Sequence, residues 1–176
     1  MGLRGARHRF MPNRLVFPGG AVDAADLRAA AGTPLAPHTR ALLEKKANPK
    51  LAHGLGIAAA RELAEETGLT LGATPGDPPA LDGLDYLCRA VTPPPGPVRF
   101  NARFLLVAAE RVGGMLAGSG ELEDLRFIAI DDALALDLAT PTRFVIRQLL
   151  AWLGMSAAER QAPRRTALLT RGERLE

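Results

Sequence analysis

The chain has 176 residues, 47% hydrophobic and 23% charged, with a formal net charge of +3. That length supports one domain with a real core, burying about 70% of the surface its unfolded chain would expose. No apolar run approaches the roughly 18 residues of a membrane span, and no apolar stretch follows the N-terminal arginines as a secretory signal would require. The lone Cys88 excludes an intrachain disulfide and a cysteine-rich zinc site, and it suits a reducing, cytoplasmic setting. Its apolar surroundings read as a buried, inert thiol.

Basic residues gather at the two ends. Arg4, Arg7, Arg9 and Arg14 stand without an acid, and Arg160, Arg164, Arg165, Arg171 and Arg174 occupy residues 156–176. Arginines so placed could meet phosphates through bidentate hydrogen bonds. In residues 156–176, however, Glu159, Glu173 and Glu176 are interleaved, and the segment reads as a solvated basic tail. Aromatics at 5%, with no basic-aromatic module, argue against a nucleic-acid partner.

In chain order, residues 14–17 read as a short strand stopped by Pro18-Gly19-Gly20. Residues 27–53 are mixed, with helical character at 38–47 and an Asn48-Pro49 cap signal. The main helix is expected from near Gly54 to Thr67, its first turn weakened by Gly54 and Gly56, with Gly68 as its left-handed terminator. Residues 85–92 and 99–108 read as two strands joined by a proline-rich loop, and residues 124–130 as another, with Leu125 and Phe127 on one face. Thr140-Pro141 starts a helix with Phe144, Val145, Leu149, Ala151 and Trp152 at helical spacing, closing at Gly154. Helices and strands on a shared sheet imply a layered α/β (α+β) domain over residues 1–155, followed by the tail.

The chemistry-bearing run is Arg61-Glu62-Leu63-Ala64-Glu65-Glu66-Thr67-Gly68-Leu69. In a helix, Glu62, Glu65 and Glu66 fall at i, i+3 and i+4 on one face. Like charges at that spacing cost about 0.2–0.5 kcal/mol per pair, and a hard divalent cation with oxygen ligands is the natural offset. A solvated acidic face with an Arg-Glu pair is the competing reading.

With Pro18-Gly19-Gly20 upstream, this run resembles the signature of the Nudix hydrolases: Gly, five residues, Glu, seven residues, then Arg-Glu-aliphatic-x-Glu-Glu-x-Gly-aliphatic. The second half matches at Arg61, Glu62, Leu63, Glu65, Glu66, Gly68 and Leu69. Two departures stand out. Asp26 occupies the place of the first Glu, and 34 residues separate it from Arg61, 27 more than the pattern allows. A break of this kind after Pro18-Gly19-Gly20-Ala21-Val22-Asp23 resembles a sub-branch that includes peroxisomal coenzyme A diphosphatases. Residues 27–53 then read as an insertion that bulges outward near the site, a change that loop-closure entropy penalises only weakly. Met1-Gly2-Leu3-Arg4 resembles the interior of the first hairpin of that fold, so the sheet is expected to lack its N-terminal strand. An unfilled edge of that kind could pair with a second copy.

The resemblance implies a Nudix fold, a mixed sheet sandwiched between helices, and Mg²⁺- or Mn²⁺-dependent cleavage of a small nucleoside diphosphate derivative such as coenzyme A. Glu65 and Glu66 are the main candidate metal ligands. Glu62 is a ligand or the base acting on water, and Arg61 pairs with Glu65 or orients a neighbouring glutamate. Gly19 and Gly20 would let the backbone approach metal or phosphate. Glu121 and Glu123 resemble the position of an additional ligand or base, against a plain polar loop. Asp26 is a further candidate ligand, although it and Asp23 can equally serve the turn and a cap. Arg99, Asn101 and Arg103 alternate on an expected strand, so Arg99 and Arg103 are candidate phosphate contacts or simply an exposed face. His8, His38 and His53 show no metal-ligand spacing. The alternative function is a Nudix-like domain that binds or senses a nucleotide without cleaving it.

Overall fold

The computed structural model describes residues 1–5, 14–72, 76–95, 99–118 and 120–176; Arg7, His8 and Arg9 lie outside them. Gly2–Arg4 (β1) and Leu15–Val16 (β2) form an antiparallel pair. Next come Pro37–Glu44 (α1) and Pro49–Thr67 (α2), followed by Leu69–Thr70 (β3). Asp85–Val91 (β4) and Asn101–Leu106 (β5) make the expected antiparallel hairpin. Gly113–Gly114 (β6) pairs with β3, and Leu122–Glu123 (β7) pairs with β1. The chain continues through Ile130–Ala135 (α3), Thr140–Leu153 (α4), Ala157–Gln161 (α5), Ala167–Leu169 (β8) and Glu173–Leu175 (β9).

The largest sheet runs β5-β4-β8-β9, with β8 parallel to β4 and the other pairs antiparallel. Helices cover both of its faces. Leu42, Leu43, Ala52, Ile57 and Ala60 from α1 and α2 pack with Leu84 and Tyr86, while Phe144 and Val145 of α4 pack with Leu87 and Cys88. Each fully buried Leu or Phe side chain contributes about 1.5–3 kcal/mol. The three-stranded sheet β2-β1-β7 has two distinct faces, because side chains alternate along a strand. Gly2, Arg4, Val16 and Leu122 share one face through the pairings Gly2↔Val16 and Arg4↔Leu122; Leu3, Leu15 and Glu123 share the other. Leu15 belongs with the α3–α4 cluster of Ala133, Leu138 and Ile146, so the Arg4 face is turned away from those helices.

Four expectations need correction. The main helix begins at Pro49 rather than near Gly54: Asn48 accepts the Leu51 N–H at 2.8 Å, and Pro49 sits where its missing N–H costs nothing. Gly54 and Gly56 are buried against Leu27, Leu35 and Leu81, where a larger residue would collide, so packing overrides their propensity cost of about 1 kcal/mol each. The segment 27–53 does not bulge outward; α1 puts Leu42 and Leu43 into the core, and Thr39 donates to the Leu84 carbonyl at 2.7 Å. Residues 124–130 are not a strand. Asp124 has φ +48, which ends the pairing of β7, and Asp131 and Asp132 instead favour the N-terminus of α3.

The solvated tail is the fourth correction. Residues 156–176 supply α5 and two strands of the main sheet, with Leu168 only 1% exposed. Their arginines satisfy backbone carbonyls: Arg164 donates to Tyr86 and Arg165 to Leu175, while Arg160 donates to Trp152 and Leu153 and stacks 3.9 Å from the Trp152 ring. Among the described residues no helix is long and apolar enough to cross a membrane. Cys88 is fully buried, and burial pushes its thiol up to about 12, as the inert reading expects.

Candidate active site

α2 carries the site, and its C-terminus is set by Gly68, whose φ of +71 is left-handed and whose N–H caps the Ala64 carbonyl. Upstream, Phe17 packs edge-to-face on Phe104, ring centroids 6.2 Å apart, which anchors the chain entering Pro18-Gly19-Gly20. From there the turn is fastened to α2. Gly19 N–H donates to Glu66 Oε2 at 2.8 Å, and Arg61 donates to the Ala21 carbonyl at 3.0 Å. Gly20 lies against Glu62 so closely that a Cβ would overlap the carboxylate, so glycine here lets Glu62 hold its position.

Arg61 is saturated. Its Nε and one terminal nitrogen each reach Asp26 at 3.1 Å, and the other terminal nitrogen meets Glu62 Oε1 at 2.8 Å and Glu65 Oε2 at 3.0 Å. With the Ala21 carbonyl added, all five guanidinium N–H donors are committed inside the protein. Asp26 is 2% exposed and also accepts the Asp23 N–H at 2.7 Å. The Arg61 hydrogen bonds hold the Asp26 carboxyl below its ordinary range against the opposing effect of burial, and the carboxylates push Arg61 above its own. Asp26 is therefore the anchor of Arg61, with both of its oxygens taken, and is not placed as a ligand or base.

The three glutamates differ. Glu66 is 4% exposed; burial raises its pKa first of all, the Gly19 N–H opposes that, the charges of Glu62 and Glu121 push up, and Arg4 pulls down. Glu62 is mostly buried and Glu65 is exposed. Each keeps one carboxylate oxygen without a hydrogen bond among the described residues: Glu62 Oε2, Glu65 Oε1 and Glu66 Oε1. Glu62 and Glu65 turn onto Arg61 while Glu66 turns onto Gly19, and among the described residues no three Asp, Glu, His or Cys side chains are close enough to hold an ion.

The outlying candidates divide. Glu121 acts electrostatically on Glu66. Glu123 pairs with Leu3 and so sits on the opposite face of its sheet from Arg4 and Leu122, a consequence of strand alternation. Arg103 donates to the Asn101 and Lys46 carbonyls, at 3.0 and 2.9 Å, and its charged neighbours are Arg89 and Glu176, none of them in the glutamate group. Arg99 is exposed, and among the described residues no contact joins it to the site. Arg4 is the residue that the motif reading missed. It lies outside the signature, in β1 paired with β7, and its charge acts on Glu66.

Comparison with known proteins agrees with this geometry. No family model and no curated protein matches the sequence. The structure does match the crystal structure of a NUDIX hydrolase from Alicyclobacillus acidocaldarius, with a TM-score of 0.64 and 28% identity, covering 85% of this chain and 82% of that one. The chain therefore has the fold of a Nudix hydrolase, a mixed sheet between helices with the glycine turn closed onto the glutamate helix.

Proposed function

We propose that this protein is a Mg²⁺- or Mn²⁺-dependent hydrolase that splits the diphosphate bond of a nucleoside diphosphate linked to another group. The likeness to a NUDIX hydrolase supports a Nudix pyrophosphohydrolase. The observation that carries the reading is the Gly19–Glu66 hydrogen bond with the Arg61–Asp26 pair. These contacts bring the two halves of the signature together although residues 27–60 intervene.

The donor set suits a hard cation. Three carboxylates each retain an oxygen, Glu66 is buried beside like charges, and Gly20 lets the Glu62 carboxylate lie against the turn. Glu65 and Glu66 would hold the ion, with Glu62 as a third ligand or as the base. When bound, the ion neutralises phosphate oxygens as charge develops on them. Arg61 meanwhile orients Glu62 and Glu65 through its hydrogen bonds, and Asp26 fixes Arg61. Coenzyme A or an acyl derivative is the first substrate to test, on the position of the break in the signature.

The test is a hydrolysis panel of coenzyme A, NADH, ADP-ribose and dinucleoside polyphosphates, with Mg²⁺, Mn²⁺ or EDTA, beside Glu66→Gln. Metal-dependent cleavage that Glu66→Gln abolishes supports the reading, and equal turnover by the variant refutes the role of Glu66. The pairing of Glu62 and Glu65 with Arg61 favours a second reading, a nucleotide-binding domain without turnover. Tight binding with no cleaved substrate would select it.

A further inference from the structure

We propose that Arg4 is a substrate-binding residue of this site, presenting its guanidinium to an anionic oxygen of a diphosphate beside the glutamates. The inference rests on the hydrolase reading for its substrate class, but its evidence is separate. An acidic site repels a diphosphate, so a fixed cation on the protein is needed besides any metal. Arg61 cannot serve, because all its donors are used on Asp26, Glu62, Glu65 and the Ala21 carbonyl. Arg103 is turned onto the Asn101 and Lys46 carbonyls, and Arg14 is paired with Asp137.

Arg4 is in the opposite condition. Its Nε is buried without a hydrogen-bond acceptor among the described residues. Its charge acts on Glu66, yet it makes no hydrogen bond with that carboxylate. Buried polar groups in native proteins are nearly always satisfied, and one left over calls for a partner that is absent. The fold supplies the direction: Arg4 shares a sheet face with Leu122, turned away from the α3–α4 helices that Leu15 packs against. A planar guanidinium with no hydrogen bond among the described residues matches a phosphate group, and its positive charge excludes a metal ion as the missing partner.

The deciding experiment is calorimetric binding of inorganic pyrophosphate in EDTA to wild type, Arg4→Lys and Arg4→Met, with thermal midpoints as the check on folding. Wild type should bind. Arg4→Met should bind at least about tenfold more weakly, the loss expected for a charge-assisted hydrogen bond, and Arg4→Lys should fall between, since it keeps the charge without the fork. With a cleaved substrate, Arg4→Met should raise KM more than it lowers kcat. Should Arg4→Met fail to fold, Arg4→Gln removes the charge while keeping a polar donor and gives the same decision. Wild type that does not bind pyrophosphate, or a folded neutral variant within twofold of wild type, overturns the proposal. Hydrolysis is scored separately. Turnover with an Arg4-independent affinity sinks only this inference, whereas Arg4-dependent binding with no turnover on any substrate sinks only the hydrolase reading.

Discussion

The backbone N–H of Gly19 donates to Glu66 Oε2 at 2.8 Å across 47 positions of the chain. This one bond satisfies a turn amide, orients a buried carboxylate and leaves the other Glu66 oxygen available. It also makes Glu66→Gln an informative variant, because an amide oxygen can accept the same bond while the charge is lost.

With Glu66→Gln, hydrolysis should fall roughly 100-fold or more, exceeding what changes in the outer shell of a metal site cost. Stabilisation by metal should disappear with it. For wild type, Mg²⁺ at about 100 times its dissociation constant adds about 2.7 kcal/mol, a rise of about 5–10 °C in a domain of this size. Thermal midpoints with Mg²⁺ and with EDTA check this, and an equal metal-induced shift in both proteins would remove Glu66 from the ligand set.

Asp26 and Glu66 should respond to pH with opposite signs. The Asp26 carboxyl is held below its ordinary 3.8, so its contribution is complete above that value and is lost as pH falls through the lower folded value. The Glu66 carboxyl is raised above 4.5, so without metal its folded form binds more protons than the unfolded one, and stability falls as pH rises from 4.5 through the folded value. Denaturant midpoints between pH 3 and 8 should show Asp26→Asn destabilised by about 3 kcal/mol near neutrality, as when a buried ion pair is broken, and converging on wild type in acid. Glu66→Gln in EDTA should show its advantage only towards the higher pH.

Gly20→Ala should separate activity from stability. The added methyl meets the far end of the Glu62 side chain, which can swing aside, so the midpoint should drop by only about 1 kcal/mol. Displacing that carboxylate by about 1 Å should cost on the order of 100-fold in kcat/KM. Near-normal turnover would show that the placement of Glu62 is unimportant.

Leu168→Ala should cost about 2–5 kcal/mol, the range for truncating a buried leucine, because Leu168 is 1% exposed and sits in the strand between β4 and β9. A denaturant midpoint unchanged from wild type would mean that residues 156–176 are not part of the core.

Local signals carried much of the fold. Asn48 and Pro49 mark the start of α2, Gly68 its end, and Thr140-Pro141 the start of α4, because caps, prolines and left-handed glycines act within one helical turn. The strand assigned to residues 124–130 failed because alternation of Leu125 and Phe127 says nothing of pairing. Asp124 turns the chain away from β1, and Phe127 is left 74% exposed. The charge pattern of residues 156–176 masked their role. Leu168 is buried only because β8 pairs with β4, nearly 80 positions earlier in the chain, and no local rule reports that.

By itself the sequence determined the chemistry on offer: three carboxylates on one helical face, an arginine one turn from Glu65, and a glycine turn, since these depend on helical period and on backbone sterics. Tertiary structure decided how those groups are used. It paired Asp26 with Arg61, set Glu123 on the sheet face opposite Arg4, turned Arg103 onto the Asn101 and Lys46 carbonyls, and let the charge of Arg4 act on Glu66. Such outcomes depend on which strands pair and which face each side chain takes, and a one-residue change of register would reverse them.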